Sequence, residues 1–284
     1  MKKILLTTSA LTLIAGAAAA DMSVSGYGRI GFQSTDGTSK QYTRMQTTFS
    51  GTSTSDSGLT FNAQTRYEST GNAKNEGATG VFAAPTFSIS NGSMSLNLGN
   101  TAGAISANAG IWGCGAVMWG CGDMADSGFT GQWATRQATG DGMNPVRLDM
   151  ALGGASVSVS GGNGNDTELA VSVPMGGGSV GVGYDTDAST DGNPVTQINY
   201  SGSMSGLGVG VKLLQQNAVS AYMASVSAPA GAGSVYVYAG KNIALSNNYG
   251  LRYNQSLGGG ASMHVGAKNH AGTTTIGAGV HFGF

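Results

Sequence analysis

The chain has 284 residues, of which 13 are Lys or Arg and 14 are Asp or Glu, so its formal net charge at neutral pH is −1. This balance excludes a strongly basic nucleic-acid-binding protein. The 49 glycines, together with frequent Ser, Thr, Asn and Val, argue against a helical protein and favour many short strands joined by tight turns.

The first twenty residues have the features of a secretory signal peptide. Two lysines precede an apolar stretch that ends near Ala17, and small residues stand immediately before Asp21. Without residues 1–20, and so without two lysines, 264 residues remain with a formal net charge of −3. No later run approaches the roughly 18 apolar residues of a membrane-spanning helix. We therefore expect an exported mature chain, 21–284, without a transmembrane helix.

Apolar and polar residues alternate through most of the mature chain, as they do in strands whose two faces meet different surroundings. In the first segment Val24, Ile30 and Phe32 share one face, whereas Tyr27 and Arg29 lie on the other. The alternation predicts sixteen strands, with fourteen as the alternative count. They lie near 23–33, 42–52, 59–70, 84–91, 94–102, 145–153, 155–163, 166–175, 178–187, 194–203, 207–216, 220–229, 234–242, 247–257, 261–269 and 274–284.

The connections between these strands include short ones, such as 153–155 and 203–207, and longer ones, including 34–41, 71–83 and 187–194. Short turns at one end and longer loops at the other are typical of bacterial outer-membrane barrels. The polar face consists mainly of Ser, Thr, Asn, Gln and Gly, which suits a water-filled interior better than a soluble sandwich. We therefore predict an all-β transmembrane, antiparallel up-and-down barrel with its apolar face against lipid.

Short motifs add a family resemblance. The last segment alternates from Ile276 and ends on Phe284, which resembles the signal recognised by the outer-membrane barrel assembly machinery. The sequences GYGRIGF at 26–32 and NPVRL at 144–148 are similar to those of the trimeric general porins of alphaproteobacteria. The resemblance implies a 16-stranded homotrimeric porin in the outer membrane of a Gram-negative bacterium, in contact with lipid and lipopolysaccharide. It also implies passive diffusion of ions and small hydrophilic solutes, without cofactor or enzymatic activity.

The segment 103–144 follows the fifth predicted strand, where the porins that this chain resembles carry a loop that folds into the lumen and narrows the pore. Its acidic residues outnumber its only basic residue, Arg136. Strand parity directs four arginines and Glu68 inward, so facing charges of opposite sign would order the water between them. The predicted constriction consists of Arg29, Arg44, Arg66, Arg147, Glu68, Asp123, Asp126 and Asp141. Alternatively, the arginines only pair with Glu68 and Asp149 or decorate the lumen.

The only two cysteines, Cys114 and Cys121, lie in the same segment between glycines. Because an exported chain meets an oxidising compartment, we expect a disulfide that stiffens the loop. A zinc or redox site is the alternative, but the spacing is not that of a zinc site.

Three further sequence features leave alternatives open. Asp185, Asp187 and Asp191 suggest a calcium loop, but the pattern lacks the full EF-hand spacing and its closing glutamate, so we favour a solvated turn. His264 and His281 point inward by parity, which leaves a barrel enzyme as the least favoured function. A secreted Gly- and Ser-rich structural or adhesive protein is the other alternative, although no strict repeat is present. The net charge and the acidic loop suggest a weak preference for cations.

Overall fold

The computed structural model describes residues 21–71, 80–109, 144–161, 167–186, 194–216, 218–242 and 246–284. These residues form one sheet of 17 strand segments. In chain order the segments are β1 (Asp21–Thr35), β2 (Thr38–Thr54), β3 (Thr60–Gly71), β4 (Val81–Phe82), β5 (Thr86–Ser90), β6 (Met94–Thr101), β7 (Asn144–Leu152), β8 (Ala155–Gly161), β9 (Thr167–Met175), β10 (Gly178–Asp185), β11 (Val195–Met204), β12 (Leu207–Gln216), β13 (Val219–Ala230), β14 (Gly233–Lys241), β15 (Asn247–Gly258), β16 (Ala261–His270) and β17 (Thr273–Gly283). A single turn of π-helix, Ile105–Ala109, follows β6. No helix within the described ranges is long and apolar enough to cross a membrane. The predicted signal peptide, 1–20, lies outside them.

The sheet closes on itself because β17 pairs with β1. All the ladders are antiparallel, and apart from β1–β17 and β3–β5 they join segments that are consecutive in the chain. The segments β4 and β5 both pair with β3 and together occupy one position. The 17 segments therefore make a closed up-and-down barrel of 16 strands. This confirms the predicted fold and strand count, and the alternative count of fourteen is wrong.

The barrel exposes its apolar residues and shields its polar ones. Large apolar side chains at alternate positions face outward, among them Phe32 at 68 % exposure and Leu251 at 52 %. The opposite face carries buried polar side chains such as Gln197, Asn199 and Lys212. Hydrocarbon outside and a polar interior are the surroundings that satisfy both faces. The direction of the two faces agrees with the prediction from the sequence.

The strand connections differ between the two ends of the barrel. One end has two-residue turns such as Gly153-Gly154, where both residues adopt positive φ (58° and 93°), a conformation that favours glycine. The other end includes the three longest intervals, between β3 and β4, between β6 and β7 and between β10 and β11. The sequence suggested a longer connection at 34–41, but β1 and β2 continue to a two-residue turn at Asp36-Gly37. Positive φ at Asp36 and Gly37 (46° and 87°) allows that tight hairpin.

Two aromatic rings cover the closing seam between β1 and β17. The backbone of Phe284 exchanges two hydrogen bonds with Gly26: the amide of Gly26 donates at 2.9 Å and that of Phe284 donates at 3.0 Å. The Phe284 ring lies over Gly26 and the Phe282 ring lies over Gly28, in the space that a side chain would need. The glycines of β1 thus accommodate the aromatic residues of the last strand.

Candidate pore lining and constriction

Three arginines of the predicted ladder lie on neighbouring strands at one side of the barrel. Arg29 on β1 is directly opposite Arg44 on β2, and Arg66 on β3 pairs with Thr48 of β2. Their outward neighbours are apolar, as Ile30 shows with 50 % exposure, so the arginines belong to the inner face. The sequence pattern was sufficient to place these three together.

An aromatic ring and a carboxylate accompany these like charges. The guanidinium carbon of Arg29 lies 4.7 Å from the centre of the Tyr27 ring, and that of Arg44 lies 5.6 Å from it. Both distances suit cation–π attraction. Arg44 also donates through Nη2 to Oε2 of Glu68 at 2.8 Å. Arg44 thus pairs with Glu68, whereas the Tyr27 ring lies close to both Arg29 and Arg44.

The charged surface continues across the seam onto the last strands. His281 is directly opposite Arg29, and its ring centre lies 5.2 Å from that of Tyr27. The ring centre of His264 lies 6.3 Å from that of His281. Arg252 on β15 is placed with its guanidinium carbon 5.9 Å from the centre of the Tyr236 ring. Strand parity was sufficient to predict from the sequence that His264 and His281 face inward.

We refer to the inner face of β15–β17 and β1–β3 as the basic wall. The described residues of these six strands include six basic side chains and two acidic ones, Asp21 and Glu68. The basic side chains are Arg29, Lys40, Arg44, Arg66, Arg252 and Lys268. Sequence analysis did not bring Arg252 to the arginine ladder, because strands at opposite ends of the chain become neighbours only when the barrel closes. The inward parity of Arg252, combined with the pairing of the last strand with the first, would have placed it next to the arginine ladder.

Arg147 lies away from the basic wall and has a structural partner. Its Nε donates to Oδ1 of Asp149 at 2.9 Å, and Asn97 and Ser158 also donate to that carboxylate, at 2.8 and 2.6 Å. The Nη1 atom of Arg147 donates to the carbonyl of Ala102 at 2.6 Å. Arg147 therefore anchors the chain at the point where it leaves β6.

The π-helical turn Ile105–Ala109, which follows this anchor, lies against the inner faces of β8, β9 and β10. The amide of Ala104 donates to the Ser160 hydroxyl at 2.8 Å, and the amide of Ile105 donates to Oε2 of Glu168 at 2.8 Å. Ala104, Ile105 and Glu168 are fully buried. Ile105 also belongs to a buried apolar cluster on this side. The other members of this cluster are Ala104, Ala170, Val195, Leu214, Ala221, Met223 and Tyr238.

Glu168 was not among the residues singled out from the sequence. Its only signal was an inward carboxylate in a strand face that otherwise consists of Ala, Ser and Pro. Its acceptor role depends on where the chain goes after β6, and local periodicity does not carry that information.

Several predicted site residues lie outside the described residues. They are Cys114, Cys121, Asp123, Asp126 and Asp141 in the long segment, and Asp187 and Asp191 of the suggested calcium loop. Asp185, the first residue of that loop, corrects the expectation of a solvated turn: it ends β10 and is fully buried. Its parity with Gly181 and Gly183 places it on the inner face. In the ranges that the structure describes, no three His, Cys, Asp or Glu residues are grouped in a way that could hold a metal ion.

Solved structures with the same fold include engineered variants of the porin of Rhodopseudomonas blastica. Three of them, with tryptophan or alanine substitutions, superpose with TM-scores of 0.77, 0.79 and 0.76 at 17, 18 and 17 % identity. Each match covers 93 % of this chain and 100 % of the other. At this identity the likeness shows the shared fold. A comparison with curated proteins gives no match.

A match to a family model shows that this chain shares more than a fold with known porins. The model described as Gram-negative porin matches residues 7–275, which include nearly all of the barrel described above. The match includes the anchors at Arg147 and Glu168 and all the strands of the basic wall except β17, of which it covers only the first three residues. This chain belongs to the Gram-negative porin family.

Proposed function

We propose that this outer-membrane porin is a passive diffusion channel for ions and small hydrophilic solutes. The observation that carries the proposal is a closed barrel with apolar residues outside and charged and polar residues inside. Closure satisfies the backbone hydrogen bonds within the hydrocarbon, and the polar inner face suits a water-filled passage. Diffusion through such a passage requires no energy source, no cofactor and no catalytic group.

The segment 103–144 folds inward in this proposal and sets the size limit for solutes. The contacts of Ala102, Ala104 and Ile105 with inward-facing side chains support it, because they direct the start of the segment along the lumen side of the barrel. A disulfide between Cys114 and Cys121 would stiffen this part of the chain.

The charges of the loop would face the basic wall. Asp123, Asp126 and Asp141 then oppose the arginine ladder and create a transverse field that orders water and disfavours apolar solutes. The weak preference for cations expected from the net charge depends on these three carboxylates. This cation preference remains a prediction, and a measurement of the reversal potential would test it.

Three partners belong to the same proposal. A homotrimer is implied by the resemblance to general porins, and the exposed apolar face offers surface for contacts between subunits and with lipid. Lipopolysaccharide would surround the outer end of the barrel. The barrel assembly machinery would recognise the closing strand through Phe284.

Single-channel current across a planar bilayer tests the proposed function. The purified mature protein should give stable, ohmic steps in neutral salt, grouped in threes if the trimer forms. Under a salt gradient the reversal potential measures the charge preference, and equal permeability to potassium and chloride would contradict the cation preference. A folded, inserted protein that gives no steps would contradict the diffusion channel. Hydrolytic activity lost in His264→Ala or His281→Ala would then favour the barrel enzyme.

A further inference from the structure

We infer that His264 and His281 are specificity-determining residues that make the ion preference of the channel depend on pH. We refer to them as the histidine pair. Protonation of either imidazole adds a positive charge to the inner face of the barrel, which favours the passage of anions over cations. The inference rests on the proposed function, because the charge of these side chains acts on a permeating ion only in an open lumen.

The histidine pair faces the lumen near the end of the barrel that has the two-residue turns. His264 lies four residues after the turn at 259–260, and its neighbour Val265 points outward with 45 % exposure. His281 precedes Phe282, which points outward with 43 % exposure. Because side chains alternate along a strand, both histidines lie on the inner face. Both are partly exposed, so protons from water in the lumen can reach them.

The two imidazoles are close enough to act on the same part of the lumen. Their ring centres are 6.3 Å apart with the ring planes at 90°, and the His281 ring lies 5.2 Å from the Tyr27 ring. This separation is shorter than the Debye length, which is about 10 Å at about 0.1 M salt. A permeating ion near the histidine pair therefore meets the charge of both rings together.

Ser262 allows His264 to change its charge without losing its hydrogen bond. The hydroxyl oxygen of Ser262 lies 2.9 Å from Nε2 of His264. A hydroxyl can either donate or accept a hydrogen bond. The Ser262 hydroxyl can therefore donate to the neutral imidazole and accept from the protonated one. Protonation then changes the charge at this position of the lumen while the ring keeps its place.

The charged and titratable groups around the histidine pair come from β15, β16 and β1 and from the end of the chain. On the inner faces of these strands and at the chain end they are Arg252, Lys268, His270, Asp21, Tyr27, Arg29 and the terminal carboxylate of Phe284. Asn254, which is directly opposite His264, is neutral. Among these kinds of group, imidazole is the one that ordinarily changes its charge between about pH 5 and 8. The charge of this part of the lumen therefore follows the histidine pair over that range.

The expected effect is a rise of the permeability ratio of chloride to potassium as the medium is acidified. A unit charge about 10 Å from a permeating ion, screened by about 0.1 M salt, changes this ratio about twofold. Protonation of both histidines should therefore raise the ratio about fourfold. Because the proposed channel is open to water at both ends, the histidine pair responds to the pH of the surrounding medium.

The test is the reversal potential under a potassium chloride gradient, measured from about pH 8 to about pH 4. The double variant His264→Gln, His281→Gln should lose about fourfold of the rise in the chloride to potassium ratio, and each single variant about twofold. Carboxylates that titrate in this range are present in all these channels, so the difference between channels isolates the histidines. Equal pH dependence of the unsubstituted channel and the double variant would overturn the inference and leave the diffusion channel intact. Absence of channels from the unsubstituted protein would instead count against the proposed function.

His270 provides the matched control, because it is the remaining histidine of the chain. It ends β16 at the opposite end of the barrel, six residues and so about 20 Å from His264. That distance is about two Debye lengths at about 0.1 M salt. His270→Gln should leave the pH dependence of the ratio within about 1.2-fold of that of the unsubstituted channel. An effect as large as that of His264→Gln would overturn the assignment to the histidine pair.

A fixed charge at the same place is a second test, which does not depend on titration. His281→Lys should give, already at about pH 8, a chloride to potassium ratio about twofold above that of the unsubstituted channel. Its ratio should then rise less on acidification, because only His264 remains to be protonated. Only inserted channels give current steps, so a variant that fails to fold is recognised at once, and His264→Lys then takes its place. An unchanged ratio at about pH 8 in a lysine variant that forms channels would overturn the inference.

Discussion

At the scale of single residues, Tyr27 explains how two guanidiniums lie on adjacent strands of the same ladder. Its ring lies 4.7 Å from the guanidinium carbon of Arg29 and 5.6 Å from that of Arg44, and its hydroxyl donates to Oε1 of Gln46 at 3.2 Å. That hydrogen bond fixes the ring against the wall. Strand parity predicted the direction of both arginines. The role of Tyr27 could not be predicted, because it depends on rotamers and on the neighbouring strand.

Glu68→Gln should shift the charge preference of the channel towards anions. The substitution leaves the Arg44 charge uncompensated in the lumen. Two unit charges about 10 Å apart in water interact by about 0.4 kcal/mol, which corresponds to about a twofold change in the permeability ratio of chloride to potassium. The reversal potential under a salt gradient measures that ratio. Asp56→Asn, in an exposed turn, is the control and should leave the ratio unchanged. An identical ratio in both variants would contradict the prediction.

Glu168→Ala should loosen the start of the long segment. The amide of Ile105 would lose its buried acceptor, and an unsatisfied buried donor costs about 1–3 kcal/mol. We expect a changed conductance and a noisier open-channel current in single-channel recordings. Ser172→Ala, four residues away on the same face of β9, serves as the control. If both variants conduct like the unsubstituted protein, Glu168 does not hold the segment.

At the scale of elements, hydrophobic periodicity predicted the strands well because each one separates lipid from a polar interior. The fourth predicted strand, 84–91, differs most: only β5, at 86–90, lies within it, Pro85 stands immediately before β5, and the separate segment β4 at 81–82 precedes the predicted range. Proline has no amide proton to donate to a ladder, and its carbonyl instead accepts from the amide of Asn100 at 3.0 Å. The path after β6 could not be predicted from periodicity, because it depends on contacts with Ser160 and Glu168 on distant strands.

Gly28→Val should destabilise the seam between β1 and β17. The new side chain would overlap the Phe282 ring, and overpacking of this kind costs about 1–3 kcal/mol. Heat-induced unfolding in detergent, followed by the shift of the barrel band in electrophoresis, measures the loss. Gly51→Val is the matched control, because no atom lies within 4 Å of the position that its Cβ would take. Adding Phe282→Ala to Gly28→Val should recover part of the loss, and no recovery would exclude the ring as the cause.

At the scale of the whole molecule, the barrel reverses the usual distribution of residues. Its outer face is formed by aliphatic and aromatic side chains, while the buried charges Glu168, Asp185 and Lys212 lie on the inner face. The sequence predicted this reversal because its polar face is made of small polar residues rather than charges. It could not predict which inward groups meet across the seam, since that is a property of the closed ring.

Val237→Arg tests that reversal directly. Val237 lies in the middle of β14, is 47 % exposed and pairs with the outward Val226 and Leu251. An arginine facing lipid near the middle of the bilayer costs about 2–4 kcal/mol. Reversible denaturant unfolding in lipid vesicles should show this loss, whereas Val237→Leu should be close to neutral. Equal stabilities of the two variants would contradict a lipid-facing position.

The ladder between β1 and β17 also has a consequence for the kinetics of folding. Apart from the β6–β7 ladder, whose strands are separated by the long interval 102–143, the other ladders join segments that are close along the chain, so they can form by local hairpin closure. The pairing of Arg29 with His281 and of Gly31 with Gly279 instead joins the two extremes of the barrel, and such non-local contacts form slowly. Unfolding can begin at this same ladder without first disrupting a hairpin. The lifetime of the folded barrel should therefore depend more on this one ladder than on any hairpin, and a covalent cross-link across it would slow unfolding most.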